Sequence, residues 1–240
     1  MSTRYVLLVL IPHRWPGAAF EAVLVARPNK FLAVCRIGRR TVEAHVPDRG
    51  RCLDLLVPGR ELALVAASGP LRRTRYTALL ARSGAGTWVS LDPAGAPRLV
   101  AEALRRGLLP AFNGLQAARR EVAAGASRID LLLEPGGMLC EVKSVGAQRD
   151  GVALFPDAPT LRGVRHLALL ERRARRGRPS ALVLCAQRGD VRAIAPDPEI
   201  DPAFARALRR CGRAGVRIAG LRCSAHPEGM EIHGEIPVLL

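Results

Sequence analysis

Two charged triplets either side of a turn, Arg128-Ile129-Asp130 and Glu141-Val142-Lys143, restrict this chain more than any other feature. Between them lie Leu131-Leu132-Leu133 and the turn signal Glu134-Pro135-Gly136-Gly137. Pro followed by Gly-Gly between apolar runs predicts a hairpin. Opposed residues of an antiparallel pair point to one face. A turn centred on Pro135-Gly136 sets Asp130 opposite Glu141, and one centred on Gly136-Gly137 sets it opposite Lys143. Glu141 and Lys143 share a face because side chains alternate along a strand. Either register therefore gathers two carboxylates and an amine on an otherwise apolar hairpin. Unpaired buried charge is too costly to be there for stability. Mg²⁺ with a phosphate suits such a set, since that ion takes one or two carboxylates plus phosphate oxygens. The plain alternative is a solvated Glu-x-Lys pair. Against it, Ile129, Leu131, Leu133, Cys140, Val142 and Val145 are apolar, as on an interior strand.

Lysine usage points the same way. Of 37 lysines and arginines only Lys30 and Lys143 are lysine. Where a plain positive charge suffices, this chain uses arginine. Lysine is a compact charge whose pKa shifts readily, whereas arginine stays protonated. Position 143 is thus expected to need an amine.

The 240 residues suffice for one large or two modest domains, and the formal charge of +16 favours a polyanionic partner, nucleic acid first. An arginine-rich proteome is the alternative source of that charge. The six cysteines (35, 52, 140, 185, 211 and 223) show no C-x-x-C and no zinc spacing. They read as buried free thiols of a cytoplasmic protein. The apolar run 5–11 is too short to span a bilayer, so no membrane association is expected.

Residues 20–91 read as all-β, with strands at 20–26, 31–37, 41–46, 61–66, 74–80 and 87–91 separated by Pro and Gly. That spacing predicts a small OB-like barrel, a fold that commonly binds single strands through basic and aromatic residues. Arg72, Arg73, Arg75 and Tyr76 supply such a surface, unless they are simply a solvated strand. Residues 92–97 read as a linker or turn, giving domains at 1–92 (with 1–19 an extension) and 93–240. Beyond it the elements are a helix at 99–106, strands at 119–124, 127–133 and 138–145, a helix at 163–176, a strand at 180–186, a helix at 202–214 and a strand at 216–221. The order α-β-β-β-α-β is that of a restriction-endonuclease-like α/β core, whose metal site sits on the second and third strands.

Specific segments resemble a known family. They include Asn29-Lys30-Phe31, Ala44-His45-Val46-Pro47, Pro97 to Leu104, Ser127-Arg128-Ile129-Asp130, Glu141-Val142-Lys143-Ser144-Val145, Phe155-Pro156-Asp157-Ala158, Arg162-Gly163, His166-Leu167 and Pro227-Glu228-Gly229-Met230. From about residue 20 to the end the chain resembles the sugar fermentation stimulation protein A (SfsA) family. The resemblance implies an OB-like N-terminal domain, a PD-(D/E)xK nuclease-like C-terminal domain, DNA binding and a link to regulation of maltose metabolism. The chain departs from the family pattern at Ala96, Gly146 and Leu161, where Asn, Thr and Glu are usual.

On this reading Asp130 and Glu141 hold Mg²⁺ or Mn²⁺, and Lys143 orients water or stabilises developing charge. Glu102 completes the acidic cluster if the first helix packs on the hairpin; otherwise it is an ordinary helix glutamate. Glu121 is a weaker candidate on a neighbouring strand. Asp157 or Thr160 caps the helix that follows. Arg162 and His166, four apart on one face, are expected near phosphate. Arg172 and Arg173, with Arg175, Arg176 and Arg178, form a patch for the DNA backbone. His45 is read as structural or DNA-contacting. The expected function is a DNA-binding, Mg²⁺-dependent nuclease acting on single- or double-stranded DNA. The alternatives are a non-catalytic DNA-binding regulator and a basic protein with another polyanion such as RNA.

Overall fold

A computed structural model describes residues 10–15, 17–67, 69 and 72–240. Residues 1–9, and with them most of the run 5–11 and the first part of the extension 1–19, lie outside the described residues. Apolar-rich runs, alternating in β2 and β3 and continuous in β4 and β5, build β1 (Ala19–Asn29), β2 (Leu32–Ile37), β3 (Arg40–His45), β4 (Glu61–Ala66) and β5 (Tyr76–Arg82), followed by the short β6 (Trp88–Ser90). The sheet order is β3-β2-β1-β4-β5-β6. β3 also pairs with β5 in parallel through Ala44–Tyr76 and His45–Thr77, which closes the first five strands into the expected barrel. Its interior is filled by Leu24, Cys35, Leu62, Leu64 and Val89 among others.

The stretch 92–97 is not a free linker. It forms a tight turn at Pro93–Gly95 that runs straight into α1 (Ala96–Arg105), three residues earlier than expected. Proline at the first positions of a helix is tolerated because the missing N–H has no partner there anyway. Asp92 is buried and accepts from Arg14 Nε at 2.7 Å, which pins the turn.

Next come β7 (Gln116–Ala124), β8 (Ser127–Glu134), β9 (Met138–Val145), β10 (Ala147–Arg149), β11 (Val152–Phe155) and α2 (Leu161–Arg175). β12 (Ser180–Ala186), β13 (Ala193–Pro196), α3 (Pro202–Arg213), β14 (Arg217–His226) and β15 (Gly229–Ile236) complete the chain. The main sheet has the order β15-β14-β12-β9-β8-β7. β12 is parallel to β9 and to β14, and the edge pairs are antiparallel. β12 is buried at every position, as its unbroken apolar run Ala181–Ala186 requires of a central parallel strand. A small sheet β10-β11-β13 and the edge strand β15 are additions that the sequence reading lacked.

The sheet has two covered faces. On one, Leu99, Val100, Ala103 and Leu104 of α1 pack with Leu131, Cys140 and Val142. On the other, Leu167 and Leu170 of α2 and Phe204 and Leu208 of α3 pack with Leu139, Val145 and Leu182. All six cysteines are buried and unpaired. Among the described residues no helix is long and apolar enough to cross a membrane.

Candidate active site

The hairpin takes the register of a turn at Pro135-Gly136: Leu133 faces Met138, Leu132 faces Leu139 and Leu131 faces Cys140. Regular pairing stops there, one step before Asp130 would meet Glu141. Where the strands part, the Val142 N–H donates to Asp130 Oδ2 at 2.7 Å. The carboxylate thus replaces a lost ladder bond and is fixed at the fork.

Glu141 is 2% exposed. Its Oε1 accepts from Lys143 Nζ and from His166 Nδ1, the latter at 2.5 Å. Its Oε2 is buried with no hydrogen-bond partner. Burial pushes the Glu141 carboxyl up, but the bonds from His166 and Lys143 outweigh it and hold the group below its ordinary value. Burial, and then the neighbouring Glu141 charge, push Asp130 up to about 6. Arg162 Nε faces His166 Nε2 at 3.5 Å, leaving the Nδ1 proton for Glu141. The first turn of α2 sets this up: Thr160 Oγ1 accepts from the Gly163 N–H at 3.0 Å and caps the helix. Thr160, not Asp157, is therefore the cap.

Lys143 and Arg162 border a cleft of about 380 Å³ whose other wall is the barrel segment 47–50. Sequence reasoning missed that wall. Asp157 Oδ2 accepts from the Cys52 N–H at 3.1 Å, 105 residues away in the chain. A Cβ at Gly50 would lie 2.2 Å from that same oxygen, so only glycine allows the approach. The residue type at 50 was the one available signal, and it names no partner.

The two glutamates outside the hairpin lie on different elements, α1 and β7. Glu102 lies on α1, across the sheet from Glu141, because Cys140 and Val142 face α1 while Glu141 and Lys143 face α2. Its carboxylate is held by Arg105 at 2.5 Å and Arg106 at 2.6 Å, and the Arg105 hydrogen bond draws its pKa down to about 2. The expectation that Glu102 completes the cluster is corrected on that ground. Glu121 lies opposite Asp130 in the β7–β8 register, between the pairs Arg120–Leu131 and Val122–Ile129. It has a left-handed backbone (φ 53°) and is exposed. Among the described residues no three His, Cys, Asp or Glu side chains converge as a metal-holding group. At the fork the structure brings two carboxylates together, Asp130 and Glu141.

Of the arginines, Arg172 and Arg173 sit near the C-terminal end of α2, about 9–10 Å along its axis from His166. Arg172 is exposed and Arg173 half-buried. Arg72 and Arg73 border a separate groove on the barrel with His45, and Arg75 is exposed next to Tyr76.

Comparison with known proteins fits this architecture. Residues 25–91 match the SfsA N-terminal OB domain, and residues 95–229 match the sugar fermentation stimulation protein RE domain. A sugar fermentation stimulation protein homolog from Chloroflexus aurantiacus is 44% identical over 96% of this chain and 89% of its own. A homolog from Moorella thermoacetica is 40% identical over 94% and 98%. The solved structure of Pyrococcus furiosus SfsA in complex with Ca²⁺ superposes with a TM-score of 0.86 at 27% identity, over 96% of this chain and 99% of that one. With both domains matched and these relatives aligned nearly end to end, the chain belongs to the sugar fermentation stimulation protein (SfsA) family.

Proposed function

We propose that the chain is a divalent-cation-dependent deoxyribonuclease of the PD-(D/E)xK type, in which residues 1–92 grip DNA and residues 93–240 cut it. The observation that carries this is the buried, unpartnered Oε2 of Glu141 beside an Asp130 whose carboxyl is pushed up. An acceptor left bare inside a protein costs free energy, and two adjacent carboxylates repel. Both costs are removed by a cation, so the donor set fits one. Mg²⁺ or Mn²⁺ bound by Asp130 and Glu141 supplies positive charge to the phosphate. Ca²⁺ in the Pyrococcus relative supports a hard, oxygen-seeking ion.

The chain's own residues do the rest. His166 holds Glu141 in one rotamer, and Arg162 holds the His166 tautomer. Lys143 emerges at the cleft wall, where its ammonium neutralises charge developing on the phosphorus-bound oxygens. Arg162, exposed at the same wall, binds phosphate. Arg72, Arg73, Arg75, Arg172 and Arg173 contribute backbone contacts that carry no base information. The test is incubation of end-labelled DNA with Mg²⁺ or Mn²⁺ against EDTA, using wild type, Asp130→Asn and Glu141→Gln. Metal-dependent cleavage lost in both variants is expected. Cleavage that survives in both refutes the assignment. A second reading is a DNA-binding regulator that does not cut; the relatives' name, sugar fermentation stimulation protein, favours its link to sugar metabolism.

A further inference from the structure

The cleft beside Lys143 has a volume of about 380 Å³. That is near the lower end of cavities that take one small molecule, about 300–1,000 Å³. A volume of that order is on the scale of one nucleotide.

The walls are tied together. Cys52 donates to Asp157 across the cleft, and Gly50 lies against the same carboxylate. Nearby, Arg188 is fully buried and paired with Asp190 at 2.6 Å and with Asp54 of the barrel at 3.5 Å. Gln187 donates to the Asp92 carbonyl at 2.9 Å and accepts at its own carbonyl from the Ser90 N–H at 3.1 Å. Opening the cleft for a duplex would strip partners from buried polar groups, which is expensive.

A second groove, of about 580 Å³, lies on the barrel between the β1–β2 turn and the segment leading into β5. Phe31 is 41% exposed there, with Lys30 Nζ 4.9 Å from its ring centre. The β3–β5 closure sets His45 beside Thr77, and Thr77 fixes Arg72 through a 2.6 Å bond from Nη2 to Oγ1. Arg73 adds charge, and among the described residues Glu43 is the one carboxylate on the rim. An exposed aromatic ring edged by arginines is what an unstacked base and its phosphate require. From His45 to Gly50, which belong to the groove and the cleft respectively, is five residues, at most about 18 Å of chain.

We infer that the ligand is single-stranded DNA rather than duplex: a base stacks on Phe31, and the strand runs along the exit of β3 into the cleft at Lys143. Only the cutting of that strand rests on the nuclease reading; its binding does not.

Two arms test this. Fluorescence anisotropy in EDTA and in Ca²⁺ compares one labelled oligonucleotide alone, annealed to its complement, and as RNA. The single DNA strand should bind at least tenfold tighter than the duplex. Phe31→Ala should remove about tenfold of single-strand affinity and little of duplex affinity, and Phe31→Trp should restore it. Thermal melting of both variants checks that they fold. Equal affinity for strand and duplex, or a Phe31→Ala protein that folds and binds like wild type, overturns the inference; tighter binding of RNA overturns the choice of DNA. In the second arm, Mn²⁺-dependent cleavage should fall on the single strand and on single-stranded tails, sparing blunt duplex. Duplex cut internally at the single-strand rate overturns the inference while leaving the nuclease reading intact. If nothing is cut the nuclease reading fails, and the anisotropy arm decides the inference alone.

Discussion

Lys143→Arg separates charge from geometry at the centre of the site. In the wild type, Lys143 Nζ and His166 Nδ1 share one oxygen of Glu141, and the lysine side chain is 16% exposed, with His166 behind it and the cleft in front. A guanidinium keeps the charge but spreads it over a planar fork on a longer chain. It can satisfy Glu141 only by carrying its remaining nitrogens into the His166 side or out into the cleft. Either way a donor sits about 1 Å or more from the ammonium position, a misplacement that can cost about a hundredfold in rate. A hundredfold corresponds to about 2.7 kcal/mol of transition-state stabilisation. The ion pair to the buried carboxylate survives, so Tm should stay within about 2–4 °C, the equivalent of about 1 kcal/mol for a chain of this size. The assay is single-turnover cleavage of a labelled oligonucleotide at saturating Mn²⁺, with affinity measured separately in Ca²⁺. The expected result is cleavage down about a hundredfold with affinity within about threefold. A folded Lys143→Arg protein that cuts at wild-type rate refutes the argument and leaves Glu-x-Lys as a structural pair.

Further outcomes follow from the same geometry. Glu102→Gln should leave metal-dependent cleavage unchanged, because Glu102 lies across the sheet and, among the described residues, pairs with Arg105 and Arg106; a large loss measured in the same assay would return it to the site. Burial, assisted by the nearby Asp157 charge, lifts Asp48 to about 6, against about 3.9 in an unfolded chain. Between those values the folded state holds a proton that the unfolded state has lost, so stability from this group rises as pH falls from 6 towards 4. Asp48→Asn, which keeps the acceptor for the Gly50 N–H, should therefore raise Tm by about 2–4 °C at pH 8 and much less at pH 4; an equal effect at both pH values contradicts the assignment. If the charge of +16 serves DNA binding, about five phosphate contacts should give a log–log salt slope of about −3.5 on a single strand, and a flat response in anisotropy titrations would remove that role.

Much of this architecture is legible in the residues themselves, because its signals are local. Short apolar runs bounded by turn residues mark the barrel strands, and an unbroken apolar run marks the buried β12. The turn Pro135-Gly136 was one of two candidates for the hairpin, and it brings Asp130 to the fork beside Glu141. The spacing of Arg162 and His166, and of Thr160 before Gly163, follows from helix geometry alone. What the tertiary structure decided depends on choices that no local period encodes. Which side of the sheet α1 covers sent Glu102 away from the fork, and a β-bulge between Ala117 and Arg119 sets the β7 register that places Glu121 opposite Asp130. The cleft itself exists because Gly50, Cys52 and Asp157 meet across 105 residues of chain. Sequence distance is silent about such contacts: they arise from how separately formed elements close-pack, and a missing Cβ at one position decides whether two of them can touch.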